Sequence, residues 1–356
     1  MNQDTLSVDT LTEFLKMGDT HYYIFDLSRL VRRIENEEFA AMEAGMMPFP
    51  TPMQQHAWLG IVFWHKARKD QPYVWFAKFP LDERGLLSHG ARQHYLQIIV
   101  EALGRDITAQ AAPEQEELLK QNPYIFTPPE QKRAAFHAKV GILLEQSASI
   151  YYEEAEAYIS GHNSSQKWQD LGVQGLHDVA SRLSLNPKVA ERIATHFEQW
   201  PEQFQHALSN VLEHHLMPSG LVSNLNSLLQ KDINNGPGKL SVHLLRSLAS
   251  AADSKAVQLS VRQLLSKPLP SSLAQDLLII VAARCWPALQ DSKARQLYIE
   301  RLSDCAPELF PHLFADLVGI PQQRPHLLQI LRSHKEQPES VQQALAQMTQ
   351  QVQQGV

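Results

Sequence analysis

Cysteine is almost missing from this 356-residue sequence: Cys285 and Cys305 are the only two, and they form no CxxC pair. A disulfide framework and a cysteine-based zinc site are therefore excluded. Long apolar runs are missing too. The longest, Ala57 to Trp64, has eight residues, against the roughly 20 of a membrane-spanning helix. The opening MNQDTLSVDT has neither the basic nor the apolar region of a secretory signal. There is no excess of cations either: 32 Lys and Arg against 38 Asp and Glu leave a net charge of −6. Non-specific nucleic-acid binding needs a concentrated cationic surface, so nucleic acid is a poor candidate partner. These deficits point to a cytoplasmic protein without a membrane segment.

Catalytic signatures are equally scarce. The sequence holds no GxGxxG, GxxxxGK[ST], GxSxG or HExxH, which closes four common routes to a mechanism. No cofactor and no metal are expected. Histidine is abundant at 16, but His89 and His94 point apart on a helix. His214 and His215 diverge as neighbours, and Glu213 does not complete a ligand set. They read as surface or helix-end histidines.

The chain does have enough apolar residues, 44%, to build globular cores, and more length than one core usually serves. Two domains are expected. Of the aromatics, 20 fall in residues 1–165 and 8 in residues 166–356, and net charge changes from −7 to +1 across the same break. Gly161-His162-Asn163-Ser164-Ser165 has the composition of a linker.

Residues 1–126 read as an α+β domain. Thr10 and Glu13 form a capping box for a short helix closed by Gly18. His21 to Leu27 is strand-like, and Ser28 to Ala44 fits a helix with Arg29, Arg32 and Arg33 on its solvated side and an Arg33–Glu37 pair. Three prolines between Met46 and Pro52 block regular structure. The runs His56–His65 and Tyr73–Leu81 then form a β-hairpin over 56–81, and Ser88 to Gly104 returns to helical spacing. Thr127-Pro-Pro-Glu130 is a helix start. The stripe Phe136, Val140, Leu143, Ser147, Ile150 and Tyr158 extends that helix across 127–161, about 50 Å, as a strut between domains.

Residues 166–356 read as helix after helix, most of them starting near a proline at intervals of 14 to 20 residues. Glu198-Gln-Trp-Pro201 and Arg284-Cys-Trp-Pro287 give a weak repeat-like similarity. The expected fold is mainly α: an N-terminal α+β domain with a small antiparallel sheet, then a C-terminal α-helical solenoid, irregular and HEAT-like, in which each pair leaves an apolar face for the next to bury.

Two groups of residues are candidates for function. Asp82, His89 and Arg92 stand where a strand hands over to a helix, and supply a base, an acid and an anion clamp. Trp58, Trp64, Tyr73, Trp75 and Phe79 make the hairpin a binding platform if one of its faces is uncovered. The basic hairpin tip, Lys66, Arg68 and Lys69, is a third and weaker candidate, for phosphate.

The stretch FAKFPLDERGLLSHGARQHYLQIIVEALG, with MMPFPTP and HAWLGIVFWH before it, resembles an uncharacterised gammaproteobacterial family, a domain of unknown function. The resemblance runs over most of the chain and implies a bacterial cytoplasmic protein of about this length. It implies no activity, cofactor or residue role. The residues themselves favour a non-enzymatic interaction or scaffold/adaptor module whose partner is another protein. The alternative is an enzyme of unrecognised type acting near Asp82, His89 and Arg92.

Overall fold

A computed structural model describes residues 9–104, 113–162 and 167–353, so the opening residues and Asn163, Ser164 and Ser165 of the expected linker lie outside the described residues. The chain divides into two compact units, Met1–Pro129 and Glu130–Val356.

The first unit runs α1 (Leu11–Met17), β1 (Thr20–Asp26), β2 (Arg32–Ile34), α2 (Asn36–Glu43), β3 (His56–His65), β4 (Tyr73–Pro80), α3 (His89–Leu103) and α4 (Pro113–Lys120). Its strands form a four-stranded antiparallel sheet in the order β2-β1-β3-β4. The capping box opens α1, with Thr10 Oγ1 accepting from the Glu13 amide at 3.1 Å and Glu13 accepting from the Thr10 amide at 3.2 Å. Ser88 caps α3. One core covers the inner sheet face, built on Phe14, Ile24, Phe39, Phe63, Phe79 and Tyr95.

The helix expected from Ser28 to Ala44 is instead a turn, the short β2 and then α2. Asp26 accepts from the Ser28 amide at 2.7 Å and turns the chain. Arg32–Ile34 then pairs with Asp26–Ile24. The edge of β1 supplies the backbone partners a helix would have supplied, so tertiary pairing overrides the 3.6-residue spacing. Arg29 is buried on the Pro52 carbonyl (Nη2–O 2.9 Å) rather than solvated. Arg33 pairs with Glu35 at 2.9 Å, not with Glu37, because side chains two apart share a face of extended backbone.

The second unit is helical throughout its described residues: α5 (Glu130–Leu143), α6 (Tyr152–Ser160), α7 (Val173–Ser181), α8 (Pro187–His196), α9 (Glu202–Leu212), α10 (Ser219–Asn235), α11 (Lys239–Ser247), α12 (Lys255–Ser266), α13 (Ala274–Ala283), α14 (Ser292–Cys305), α15 (Phe310–Gly319), α16 (Arg324–Arg332) and α17 (Glu339–Gln353). α5, α7, α9, α11, α13 and α15 pack in succession, as do α6, α8, α10, α12 and α14. Polar bonds tie neighbouring helices of each row: Glu156–Asn186, Lys239–Glu202, Gln263–Asn234 and Arg301–Leu265 link members 29 to 37 residues apart.

The strut over 127–161 is not one helix. α5 begins at Glu130, so Thr127 stands three residues ahead of it, and α5 ends at Leu143. Glu145 takes φ +59° while the Glu145 and Gln146 amides close on the Ile142 and Gly141 carbonyls at 3.1 and 2.8 Å. That is the left-handed stop usually made by glycine, which is why the sequence conceals it. The contact boundary lies at Pro129, so α5 and α6 belong to the second unit. The two Trp-Pro segments are not equivalent either: Trp200-Pro201 joins α8 to α9, whereas Trp286-Pro287 joins α13 to α14. One is an even-to-odd turn, the other odd-to-even.

Candidate functional site

The β3–β4 register decides where the hairpin aromatics point. Ala57, Ile61 and Phe63 stand opposite Phe79, Trp75 and Tyr73, whereas Trp58 stands opposite Lys78. Opposed residues share a face and neighbours alternate. Tyr73, Trp75 and Phe79 therefore line the inner face, and Trp58 and Trp64 the other. The five do not form one platform. Phe79 is buried against Tyr95, ring centres 5.2 Å apart, and Tyr73 and Trp75 rest half-buried on Phe63 at 5.4 and 4.5 Å. Trp64 is buried beside His21 and Tyr23, and half-buried Trp58 meets Phe126 edge-on at 4.8 Å.

Asp82 and His89 line one open cleft of about 570 Å³ together with Glu43 and Arg84. Asp82 Oδ1 accepts from the Arg84 and Leu86 amides at 2.9 and 2.8 Å, and Oδ2 holds the Arg84 side chain at 3.2 Å. The Leu86 amide bond above all holds its carboxyl below the ordinary aspartate value, a loop-closing arrangement rather than that of a general base. Arg92 is buried and donates to the carbonyl oxygens of Glu43 (2.6 Å) and Asp9 (3.2 Å), with His89 Nδ1 at 3.1 Å. Beside it, buried Glu43 accepts from the Leu11 and Thr12 amides at 2.7 and 3.0 Å. Arg92 thus ties α1, α2 and α3 together. At the hairpin tip, Lys66 pairs with Asp19 at 2.6 Å; with Lys16, Lys69 and Trp64 it lines a groove of about 750 Å³.

The second unit carries an arrangement that the sequence reading did not anticipate. Because successive pairs pack in order, the α5–α6, α7–α8 and α9–α10 turns stand side by side along one edge of the stack. Each shows one large aliphatic to solvent: Ile150 at 87%, Leu185 at 75% and Leu216 at 79% exposure. Ile150 is thus outside the stripe expected to face inward. Directly behind these residues, polar groups brace the turns. Ser149 donates its amide to Asp178 at 2.9 Å. Buried His215 and His177 share a 2.9 Å bond, and the other His177 nitrogen reaches Gln131 Oε1 at 2.9 Å. Since Gln131 Oε1 only accepts, His177 donates to it through Nε2 and accepts at Nδ1 from His215.

Glu213, 2% exposed, receives Arg246 Nε at 2.7 Å and Arg284 Nε at 3.0 Å, with His214 Nε2 at 3.4 Å. One carboxylate so clamps the ends of α9, α11 and α13. His214 and His215 are buried, not surface residues. Burial pulls His177 down to about 3 and holds His214 and His215 well below the ordinary histidine range. The three rings stay neutral at neutral pH. A usable sequence signal was Ser209-Asn-Val-Leu-Glu-His-His215, a polar cluster directly following a buried helical face; its partners lie one and two repeats away.

A family model described as a protein of unknown function, DUF3549, matches residues 6–349. The chain belongs to the DUF3549 family. No curated protein and no solved structure matches it. In this DUF3549 chain, no described helix is long and apolar enough to cross a membrane.

Proposed function

We propose that the chain is a non-enzymatic interaction module, a scaffold or adaptor whose helical unit is a HEAT-like docking surface for another protein. The observation that carries this reading is the row Ile150, Leu185 and Leu216, exposed on three successive braced turns. Exposed aliphatics in a row cost solubility without helping the fold, and they suit an apolar ridge or helix of a partner. The buried bonds behind them lessen the ordering cost of association. The enzyme alternative near Asp82, His89 and Arg92 has weaker support, because the Asp82 oxygens and the Arg92 guanidinium are already committed to loop and helix ends.

The test is capture from bacterial lysate with the full chain and with the triple variant Ile150→Asp, Leu185→Asp, Leu216→Asp. The expected outcome is one specific protein recovered by the parent and lost by the variant. The melting temperature should stay nearly unchanged, since exposed substitutions alter stability by about 0.5 kcal/mol or less. Equal recovery by both, or no specific protein under several growth conditions, would overturn the reading.

A further inference from the structure

Residues 1–129 carry 12 Lys and Arg against 17 Asp and Glu, a net charge of −5. The groove of about 750 Å³ at the hairpin tip reverses that balance: Lys16, Lys66 and Lys69 line it against the single carboxylate of Glu37. The β1–β3 register brings the lysines together. Thr20 stands opposite His65 and His21 opposite Trp64. The Lys66 amide donates to the Asp19 carbonyl at 3.1 Å, so the end of α1 lies beside the root of the β3–β4 loop. Lys16 thereby joins two lysines far along the chain, whereas Arg68, the third cation of the tip, is not among the residues lining the groove. The same register builds an aromatic wall. Exposed His21 has its ring centre 5.9 Å from that of buried Trp64, and half-buried Tyr23 lies 5.2 Å from Trp64.

We infer that this groove binds a nucleoside monophosphate, with Lys16, Lys66 and Lys69 on the phosphate and His21, backed by Trp64, under the base. Three ammonium groups supply point charges for a phosphate dianion. An exposed ring supported from behind is a surface on which a flat base stacks, whichever base it is. A nucleoside monophosphate carries both chemistries in one molecule, and the groove has the size of a small-molecule site. Lys66 already holds Asp19 at 2.6 Å, but the two side chains are 50% and 61% exposed. Such surface pairs are weak and screened by salt, so the Lys66 ammonium is able to turn to a phosphate. Glu37 opposes the anion and gives the test a second sign. The inference goes beyond the docking role: it concerns the first unit, whereas Ile150, Leu185 and Leu216 belong to the second.

The experiment is calorimetric titration of the full chain with AMP, inorganic phosphate and adenosine at neutral pH and low salt. AMP should bind at one equivalent, more tightly than either of its parts, and more weakly as salt rises. Lys16→Gln and Lys66→Gln change exposed side chains, should fold, and should each weaken AMP about two- to fivefold. His21→Ala should bring AMP down to the affinity of phosphate, and Glu37→Gln should tighten it. Lys188→Gln, on an exposed position of α8, should change nothing. No binding of AMP at millimolar concentration, or binding that the two lysine variants leave intact, removes the site. Phosphate binding as tightly as AMP removes the base from the assignment, adenosine binding as tightly removes the lysines, and the inference fails in either case.

Discussion

In the first unit, buried charge closes a single core; in the second, it links one repeat to the next. Glu43 and Arg92 illustrate the first case: the carboxylate caps the start of α1, and the guanidinium holds the last residue of α2 from α3, all around one sheet. Glu213 illustrates the second, since its two arginines come from the following helical pairs, 33 and 71 residues along the chain. A closed core shares any loss among all its elements. A stack whose members touch mainly nearby members confines a loss to the repeats around it. The difference teaches that similar buried ion pairs carry different consequences, according to whether the architecture closes on itself or continues.

The sharpest way to break this comparison is to remove the carboxylate in each unit. Glu213→Ala strands two arginines and is expected to cost about 3–5 kcal/mol. Hydrogen exchange should speed up in α9, α11 and α13 while the sheet keeps its protection. Glu43→Ala should instead raise exchange throughout the first unit. If Glu213→Ala loosens both units equally, the second is not a chain of local interfaces.

A smaller effect tests how closely the repeats pack. A Cβ on Gly175 of α7 would lie 2.2 Å from the Tyr151 carbonyl oxygen, so Gly175→Ala must move backbone. Helix propensity alone favours alanine there by about 1 kcal/mol; overpacking should reverse the sign and leave a net loss of about 1–3 kcal/mol. Chemical denaturation that finds the variant more stable would show that the α5–α6 turn gives way easily.

The last expected effect is spread over several pH units. The folded chain keeps His177 neutral down to about pH 3, whereas an unfolded histidine takes up its proton near 6.5. The unfolded state therefore binds more protons between these values, and stability falls as pH drops from about 6.5 toward 3. Each such ring contributes a slope of about 1.4 kcal/mol per pH unit. His177→Gln should remove its share of the slope in denaturation measured from pH 7 to pH 4. An unchanged slope would mean that His177 takes up its proton without unfolding.

Much of the architecture was legible because its causes are local. The capping box at Thr10, the β-branched and aromatic runs of β3 and β4, Ser88 at the start of α3, and prolines at the starts of α8, α16 and α17 all act within a turn or two of themselves. What misled was a period without a partner. Leu30, Val31 and Ile34 fit a helix until β1 offered an edge. Ile150 completed a stripe until Glu145 adopted a conformation that side chains rarely take. The aromatic platform failed for a related reason: alternation places side chains within one strand, but only register says which residues of the next strand join them.

The polar sites were the least legible part. Glu213 needed Arg246 and Arg284, and His177 needed His215, all supplied by other helices or turns one or two repeats away. Composition, caps and periodicity determined that this protein pairs a small antiparallel sheet domain with a long run of helices, because those signals act over a few residues. Which turns align along an edge, which buried rings share a bond and which carboxylate meets which arginine were settled only by tertiary packing, because burial and charge pairing depend on distances in space that the order of residues does not contain.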